Sequence, residues 1–155
     1  MLSSILIGAT AGARSLTPLA AVSVAAARGK LPADNGAPPL LGHRLVAAAT
    51  VALAAAELAG DKMKSAPDRI VVAGLVARLA TGALAGMALA PRRRRYLGAA
   101  LGAGAAVAAS FPTFRARIRA MAHAGQTATG LVEDAVVAAS AVSIVAAAAG
   151  REPAA

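Results

Sequence analysis

The sequence contains no cysteine and no tryptophan, and it has only two histidines. The lack of cysteine excludes disulfides, thiolate metal sites and cysteine nucleophiles. His43 and His123 stand alone in basic segments, which is typical of exposed residues rather than of metal ligands. No glycine-rich phosphate loop, nucleophile elbow or zinc-protease motif is present either. These absences predict no cofactor, and they favour a protein that is not an enzyme.

Aromatic residues make up 2% of the chain, and seven acidic residues face sixteen basic ones, for a net charge of +9. Proteins that bind nucleic acid with such a charge usually combine it with aromatic side chains for base stacking. Here the basic residues lie between apolar segments. Nucleic acid is therefore not an expected partner, whereas anionic lipid headgroups are.

Apolar residues dominate what is present. The chain has 155 residues, of which 58% are hydrophobic, and its mean hydropathy is +0.66. A soluble domain of this size exposes too much of its surface to hide apolar segments along its whole length. The composition predicts one all-α integral membrane domain over residues 1–155.

Five apolar runs bounded by charge or proline approach the length of about 20 residues that a spanning helix needs. They cover residues 2–27, 45–60, 70–90, 97–111 and 131–149. The fourth run is short and is followed by the basic segment 114–122. It is either a spanning helix with a basic extension or a re-entrant hairpin followed by an interfacial helix.

Basic residues between the runs predict the orientation of the bundle. Arg92, Arg93, Arg94 and Arg95 form the densest cluster, and Arg28, Lys30 and Arg44 are expected on the same side. Positive charge is enriched in cytoplasmic loops. With five spans, the N-terminus is then expected outside and the C-terminus inside. The same arrangement places the basic residues of segment 114–122 outside, together with Lys62 and Lys64, so insertion in both orientations is the alternative.

Glycine pairs spaced by four residues occur in three of the runs: Gly8 with Gly12, Gly82 with Gly86, and Gly98 with Gly102. Small residues at this spacing allow helix backbones to approach closely in lipid. The pairs predict tight helix packing together with a homo-oligomeric interface.

Two arginines lie near the middle of apolar runs, Arg14 in the first and Arg78 in the third. A charge there costs at least ~2.5 to 3.5 kcal/mol on insertion scales, so each guanidinium should face the protein interior and a partner. Each is followed by threonine three residues later and then by a helix-weakening residue, Thr17 and Pro18 in one case, Thr81 and Gly82 in the other. We interpret this as an internal repeat with halves 1–64 and 65–150, with both helices broken beside the arginine.

Acidic residues gather at the ends of the second, third and fifth runs. With their basic neighbours they are Glu57, Asp61, Lys62, Asp68, Arg69, Glu133 and Asp134. They are either the mouth of a pathway, with oxygens suited to a cation such as Mg²⁺, or ordinary caps at helix ends. Capping is favoured for Asp68.

Four motifs resemble a bacterial membrane family described as domain of unknown function 4126. They are the stretch from Gly12 to Leu19, the stretch from Glu57 to Lys62, the stretch from Arg78 to Gly86, and Gly130 to Asp134. The chain differs from the family pattern at Met63 and Lys64, where a hydrophobic residue and proline are usual, and at Gly82, where proline is common. The resemblance implies a multi-pass protein of the bacterial inner membrane and brings no activity with it.

Together these features favour a small transporter or channel for an ion or polar metabolite. The expected pathway residues are Arg14, Thr17, Pro18, Glu57, Asp61, Lys62, Arg69, Arg78, Thr81, Gly82, Glu133 and Asp134. A membrane scaffold with structural ion pairs is the alternative, and it predicts no water-accessible path. A lipid-active enzyme is a third hypothesis, which requires a lateral cleft with Glu57 or Glu133 near an arginine.

Overall fold

The computed structural model describes residues 1–60 and 72–150, which fold into helices and connecting turns. The helices are α1 (Leu2–Ala13), α2 (Leu16–Ala27), α3 (Arg44–Gly60), α4 (Val72–Ala88), α5 (Arg95–Ala124) and α6 (Gln126–Ala149). Short 3-10 helices at Pro39–Gly42 and Arg92–Arg94 precede α3 and α5. No β-strand occurs in these two ranges, so the all-α prediction is confirmed for them.

The first apolar run forms two helices instead of one. Arg14 has an extended backbone, with φ −136° and ψ 116°, and it separates α1 from α2. The cause is Pro18, because a proline ring clashes with the carbonyl four residues earlier in a continuous helix, which here is that of Arg14. Pro18 itself lies in the first turn of α2, where a missing N–H leaves no bond unmade. The predicted break beside Arg14 is confirmed, but the prediction of a single span over residues 2–27 is wrong.

α1 runs parallel to α5. A side chain added at Gly8 would meet the backbone of Gly102, and one added at Gly12 would meet Ala106. α4 runs antiparallel to α5, since Gly82 lies against Gly102 and Ala106 while Gly86 lies against Gly98 and Gly102.

α2 returns to the end of the bundle where α1 begins. Near its C-terminus, the Ser23 hydroxyl donates to the Leu41 carbonyl at 2.9 Å, just before α3 starts. At its N-terminus, α2 meets Glu57 near the end of α3. α1 and α2 therefore form a helical hairpin that enters and leaves the bundle at one end.

We call that end the basic end, defined by residues 28–44 and 91–95. Its two segments are joined by backbone hydrogen bonds from Gly36 N–H to the Ala90 carbonyl at 2.8 Å and from Arg92 N–H to the Asp34 carbonyl at 3.0 Å. The prediction that Arg28, Lys30 and Arg44 share a side with the arginine cluster is confirmed.

The start of α1 and the end of α6 also meet at the basic end. Ile7 of α1 and Ala148 of α6 belong to one apolar core cluster, together with Leu41 and Leu89 beside the basic end. An odd number of spans would have separated the start of α1 from the end of α6. The start of α1 and the end of α6 lie at the same end of the bundle, because the first run is a hairpin, and this differs from the arrangement expected of five spans.

The glycine pairs meet inside the chain. Gly102 lies between Gly8 of α1 and Gly82 of α4, and there is no room at any of the three for a side chain. The predicted tight packing is confirmed. The pairs serve contacts within the chain, so they do not supply an interface between copies.

α4 passes through Gly82 without interruption, so the prediction of a helix break at this residue is wrong. A glycine lowers helix stability by only about 1 kcal/mol, and the contact with α5 offsets that loss.

α5 is a single helix of 30 residues that passes through Pro112. Hydroxyls support the backbone around the proline: Ser110 donates to the Ala106 carbonyl at 2.8 Å, and Thr113 to the Ala109 carbonyl at 2.7 Å. Of the two alternatives for the fourth run, the helix with a basic extension is the one observed.

In the described part of the chain, two helical segments are long and apolar enough to cross a membrane, Arg92–Ala124 and Gln126–Ala149. Only 22% of the most apolar window of each is buried inside the protein. Large apolar side chains are exposed elsewhere too, with Leu45, Val132 and Val142 showing 61% to 74% of their surface.

Candidate functional site

Arg14 lies at the junction between α1 and α2, and its side chain is only 2% exposed. Its backbone N–H still donates to the Thr10 carbonyl at 3.1 Å, which closes the last turn of α1. The extended backbone directs the guanidinium towards α6. There Nη2 forms an ion pair with Asp134 Oδ1 and lies 3.7 Å from Glu133 Oε2. The predicted interior position of Arg14 is confirmed, and of the three kinds of partner expected (a carboxylate, a backbone carbonyl or a bound anion) the structure shows a carboxylate.

Arg117 of α5 also belongs to the site. The sequence pattern predicts only that this residue lies in the basic segment 114–122. Its Nη1 donates to Glu133 Oε2 at 2.6 Å, and its side chain is 7% exposed. A signal for this pair does exist. Arg117 and Glu133 each lie eight residues from Gly125, the turn with φ 77° that joins α5 to α6, so an antiparallel helix pair brings them opposite each other.

Glu57 joins the site from α3. Its Oε1 accepts hydrogen bonds from the Ser15 N–H at 2.9 Å and the Ser15 hydroxyl at 2.8 Å, and its Oε2 accepts one from the Leu16 N–H at 2.9 Å. Glu57 therefore caps the N-terminus of α2 from another helix. A carboxylate at that end is stabilised by the partial positive charge of the helix.

We call Arg14, Glu57, Arg117, Glu133 and Asp134 the charge cluster. Opposite charges alternate along it, from Asp134 to Arg14 to Glu133 to Arg117. The helix ends at the break follow the same pattern, because Arg14 lies at the negative C-terminus of α1 and Glu57 at the positive N-terminus of α2. The buried charges are thus matched by ion pairs or helix dipoles.

The capping alternative is wrong for two of the predicted acidic residues. α6 begins at Gln126 rather than at residue 131, so Glu133 and Asp134 lie about two turns inside the helix. Their carboxylates form ion pairs instead. Asp61, Lys62, Asp68 and Arg69 lie outside the described residues.

Arg78 is buried in α4, with 5% of its surface exposed. In the antiparallel register of α4 and α5, Gly82 contacts Ala106, so Arg78, one turn earlier in α4, lies near the level of Ser110. Arg78 therefore lies at a depth similar to that of the α1–α2 break.

Thr81 and Gly82 take packing roles in the structure. The Thr81 hydroxyl donates to the Ala77 carbonyl of its own helix at 2.9 Å, and Gly82 contacts α5. The two halves of the proposed repeat differ in local structure, since Arg14 is extended between two helices while Arg78 lies within one.

No group of three or more histidine and acidic side chains suited to a metal ion occurs within residues 1–60 and 72–150. Within the charge cluster, one carboxylate oxygen each of Glu133 and Asp134 contacts arginine, and both oxygens of Glu57 accept hydrogen bonds from Ser15 and Leu16.

A second feature, which we call the lateral groove, runs between α2 and α6 beside Val51 of α3. Its volume is about 800 Å³. Its walls are alanine, valine and leucine side chains, with Thr17 in the first turn of α2 and Arg28 and Lys30 just after the last. Among residues 1–60 and 72–150, no carboxylate lines it.

No protein-family model, curated protein or solved structure matches this chain at a significant level. Membership of the domain of unknown function 4126 family therefore stays a prediction.

Proposed function

We propose that the protein is a small multi-pass transporter or channel of the bacterial inner membrane, which moves an ion or a small polar metabolite. The observation that carries the proposal is the buried charge cluster at the break of the α1–α2 hairpin.

The membrane placement is supported by the surface of α5 and α6. The core helix of a soluble protein is mostly buried, whereas the apolar windows of these two helices are only 22% buried. Exposed apolar surface of this extent, along helices of 24 residues or more, is stabilised by lipid.

The depth of the hairpin supports a pathway. α1 and α2 have 12 residues each, so each is about 18 Å long and falls short of the roughly 30 Å hydrocarbon core. Irregular backbone at such a depth is tolerated where it is enclosed by protein or lines a cavity, and paired helix ends at the midplane are typical of transporter sites.

Glu133 allows the ion-pair partners within the charge cluster to exchange. Its Oε2 lies 2.6 Å from Arg117 and 3.7 Å from Arg14, so one carboxylate is shared unequally between two cations. An anionic cargo would replace a carboxylate on Arg14. A proton or cation would instead neutralise Glu133 or Asp134 and release the arginines.

Flux in proteoliposomes tests the proposal. The test variant is the double substitution Arg14→Gln with Asp134→Asn, which removes both charges of one ion pair and so avoids leaving one buried charge unpaired. Arg119→Gln is the matched control, since it removes an exposed positive charge from α5. We expect wild type and the control to carry flux and the double variant to lose it.

A membrane scaffold is the second candidate, and the alternation of charges favours it, because ion pairs of this kind also fix how helices meet. An impermeable wild type, tested with cations, anions and small organic acids, would refute the transport proposal. Retention of flux in the folded double variant would show that the charge cluster is not part of the pathway.

A further inference from the structure

The lateral groove has the polarity pattern of a phospholipid. One wall is the face of α2 that carries Ala21 and Val24, and the other is the face of α6 that carries Val142 and Ala146. Among the described residues, the lining carries charge at the basic end, through Arg28 and Lys30, and neither wall contributes another charged side chain.

The two basic side chains at the rim are exposed, and neither forms an ion pair within residues 1–60 and 72–150. The buried arginine Arg14, by contrast, has a carboxylate partner in the protein. Two cations at the mouth of an apolar groove are complementary to an anionic headgroup with an attached chain.

The length of the groove fits a single leaflet. From Thr17 to Arg28, α2 rises by about 16 Å, which is close to half of a hydrocarbon core of about 30 Å. A lipid whose phosphate lies at Arg28 would therefore extend its chain along α2 for the depth of one leaflet. The chain would end near Thr17, one turn from the break.

We propose that the lateral groove binds one acyl chain of an anionic phospholipid, with Arg28 and Lys30 holding the phosphate. The proposal rests on the membrane placement given above, but it does not depend on transport.

Native mass spectrometry of the delipidated protein in detergent, titrated with phosphatidylglycerol or phosphatidylcholine, tests the site. Ala146→Phe places a ring in the groove, and Ala147→Phe is the matched control, because Ala147 is also exposed but does not line the groove. We expect phosphatidylglycerol affinity to fall at least 10-fold in the first variant and to stay unchanged in the second.

A second pair of variants tests the rim. Arg28→Gln with Lys30→Gln should lower phosphatidylglycerol affinity by about 10- to 30-fold and leave phosphatidylcholine unaffected. Arg92→Gln with Arg93→Gln removes the same charge from the basic end, away from the groove, and should keep the preference for phosphatidylglycerol.

Equal losses within either matched pair, or equal wild-type affinity for the two lipids, would overturn the groove assignment. Absence of flux in wild-type protein that still binds lipid would count against the transport proposal alone. Recovery of the protein in a detergent-free, soluble form would refute the membrane placement on which both depend.

Discussion

Replacing Gly82 with alanine separates two roles for this residue. If Gly82 weakened or interrupted α4, alanine would strengthen the helix. In the structure, α4 is continuous and Gly82 lies against α5. An added Cβ would come within 2.7 Å of Ala106 Cβ and 2.8 Å of the Gly102 carbonyl oxygen.

Both distances fall short of ordinary van der Waals contact by about 0.6 Å or more, so α4 and α5 must move apart. Overpacking of this kind costs about 1 to 3 kcal/mol. Alanine also gains about 1 kcal/mol over glycine from helix propensity. Gly104→Ala isolates that gain, because nothing lies within 4 Å of an added Cβ at Gly104 in α5.

We expect Gly82→Ala to be less stable than Gly104→Ala by about 1 to 3 kcal/mol, which is the overpacking cost with the propensity gain cancelled. Unfolding in mixed micelles, followed by the helical circular dichroism signal, measures the difference. Equal stability of the two variants, or greater stability of Gly82→Ala, would refute the packing of α4 on α5 described above.

Two further predictions concern topology and the charge cluster. The chain has no cysteine, so single cysteines introduced by mutation can be labelled without background. Leu2→Cys and Lys30→Cys should be labelled by an impermeant reagent from one side of a vesicle, and Ala124→Cys from the other side. A single first span would instead place Leu2 and Lys30 on opposite sides. In a double-mutant cycle, Arg117→Gln and Glu133→Gln should each lower the free energy of unfolding. The loss in the double variant should be smaller than the sum of the two single losses by about 0.5 to 3 kcal/mol. Additive losses would show that the two side chains do not interact.

The sequence allowed the interior role of Arg14 to be predicted, because a charge in the middle of an apolar run needs a partner. It also located the break, since Pro18 removes a backbone hydrogen bond and crowds the carbonyl of residue 14 in a continuous helix. The hairpin could not be predicted from the run, because a largely apolar run of 26 residues satisfies the length of one span as well as that of two half-length helices.

Contacts between distant helices account for the other differences. Glu57 caps the N-terminus of α2 although it lies 42 residues from Ser15, and no local sequence motif predicts this contact. Gly82 has the same local appearance whether it ends a helix or packs against a neighbour. Arg117 and Glu133 become a recognisable pair only when the turn at Gly125 is known, and residues 126–130 gave no apolar signal for the start of α6.

The half-depth hairpin has an electrical consequence in the proposed membrane placement. The transmembrane voltage acts at about 2.3 kcal/mol per elementary charge per 100 mV over the full bilayer. A cation at the α1–α2 break lies part of the way through that field. Both carboxylates lie within 3.7 Å of the same Arg14 nitrogen, so an exchange of partners moves the charge by about a tenth of the core thickness, and the voltage would contribute about 0.2 kcal/mol per 100 mV. The membrane potential would then act directly on the balance between the two states of the charge cluster.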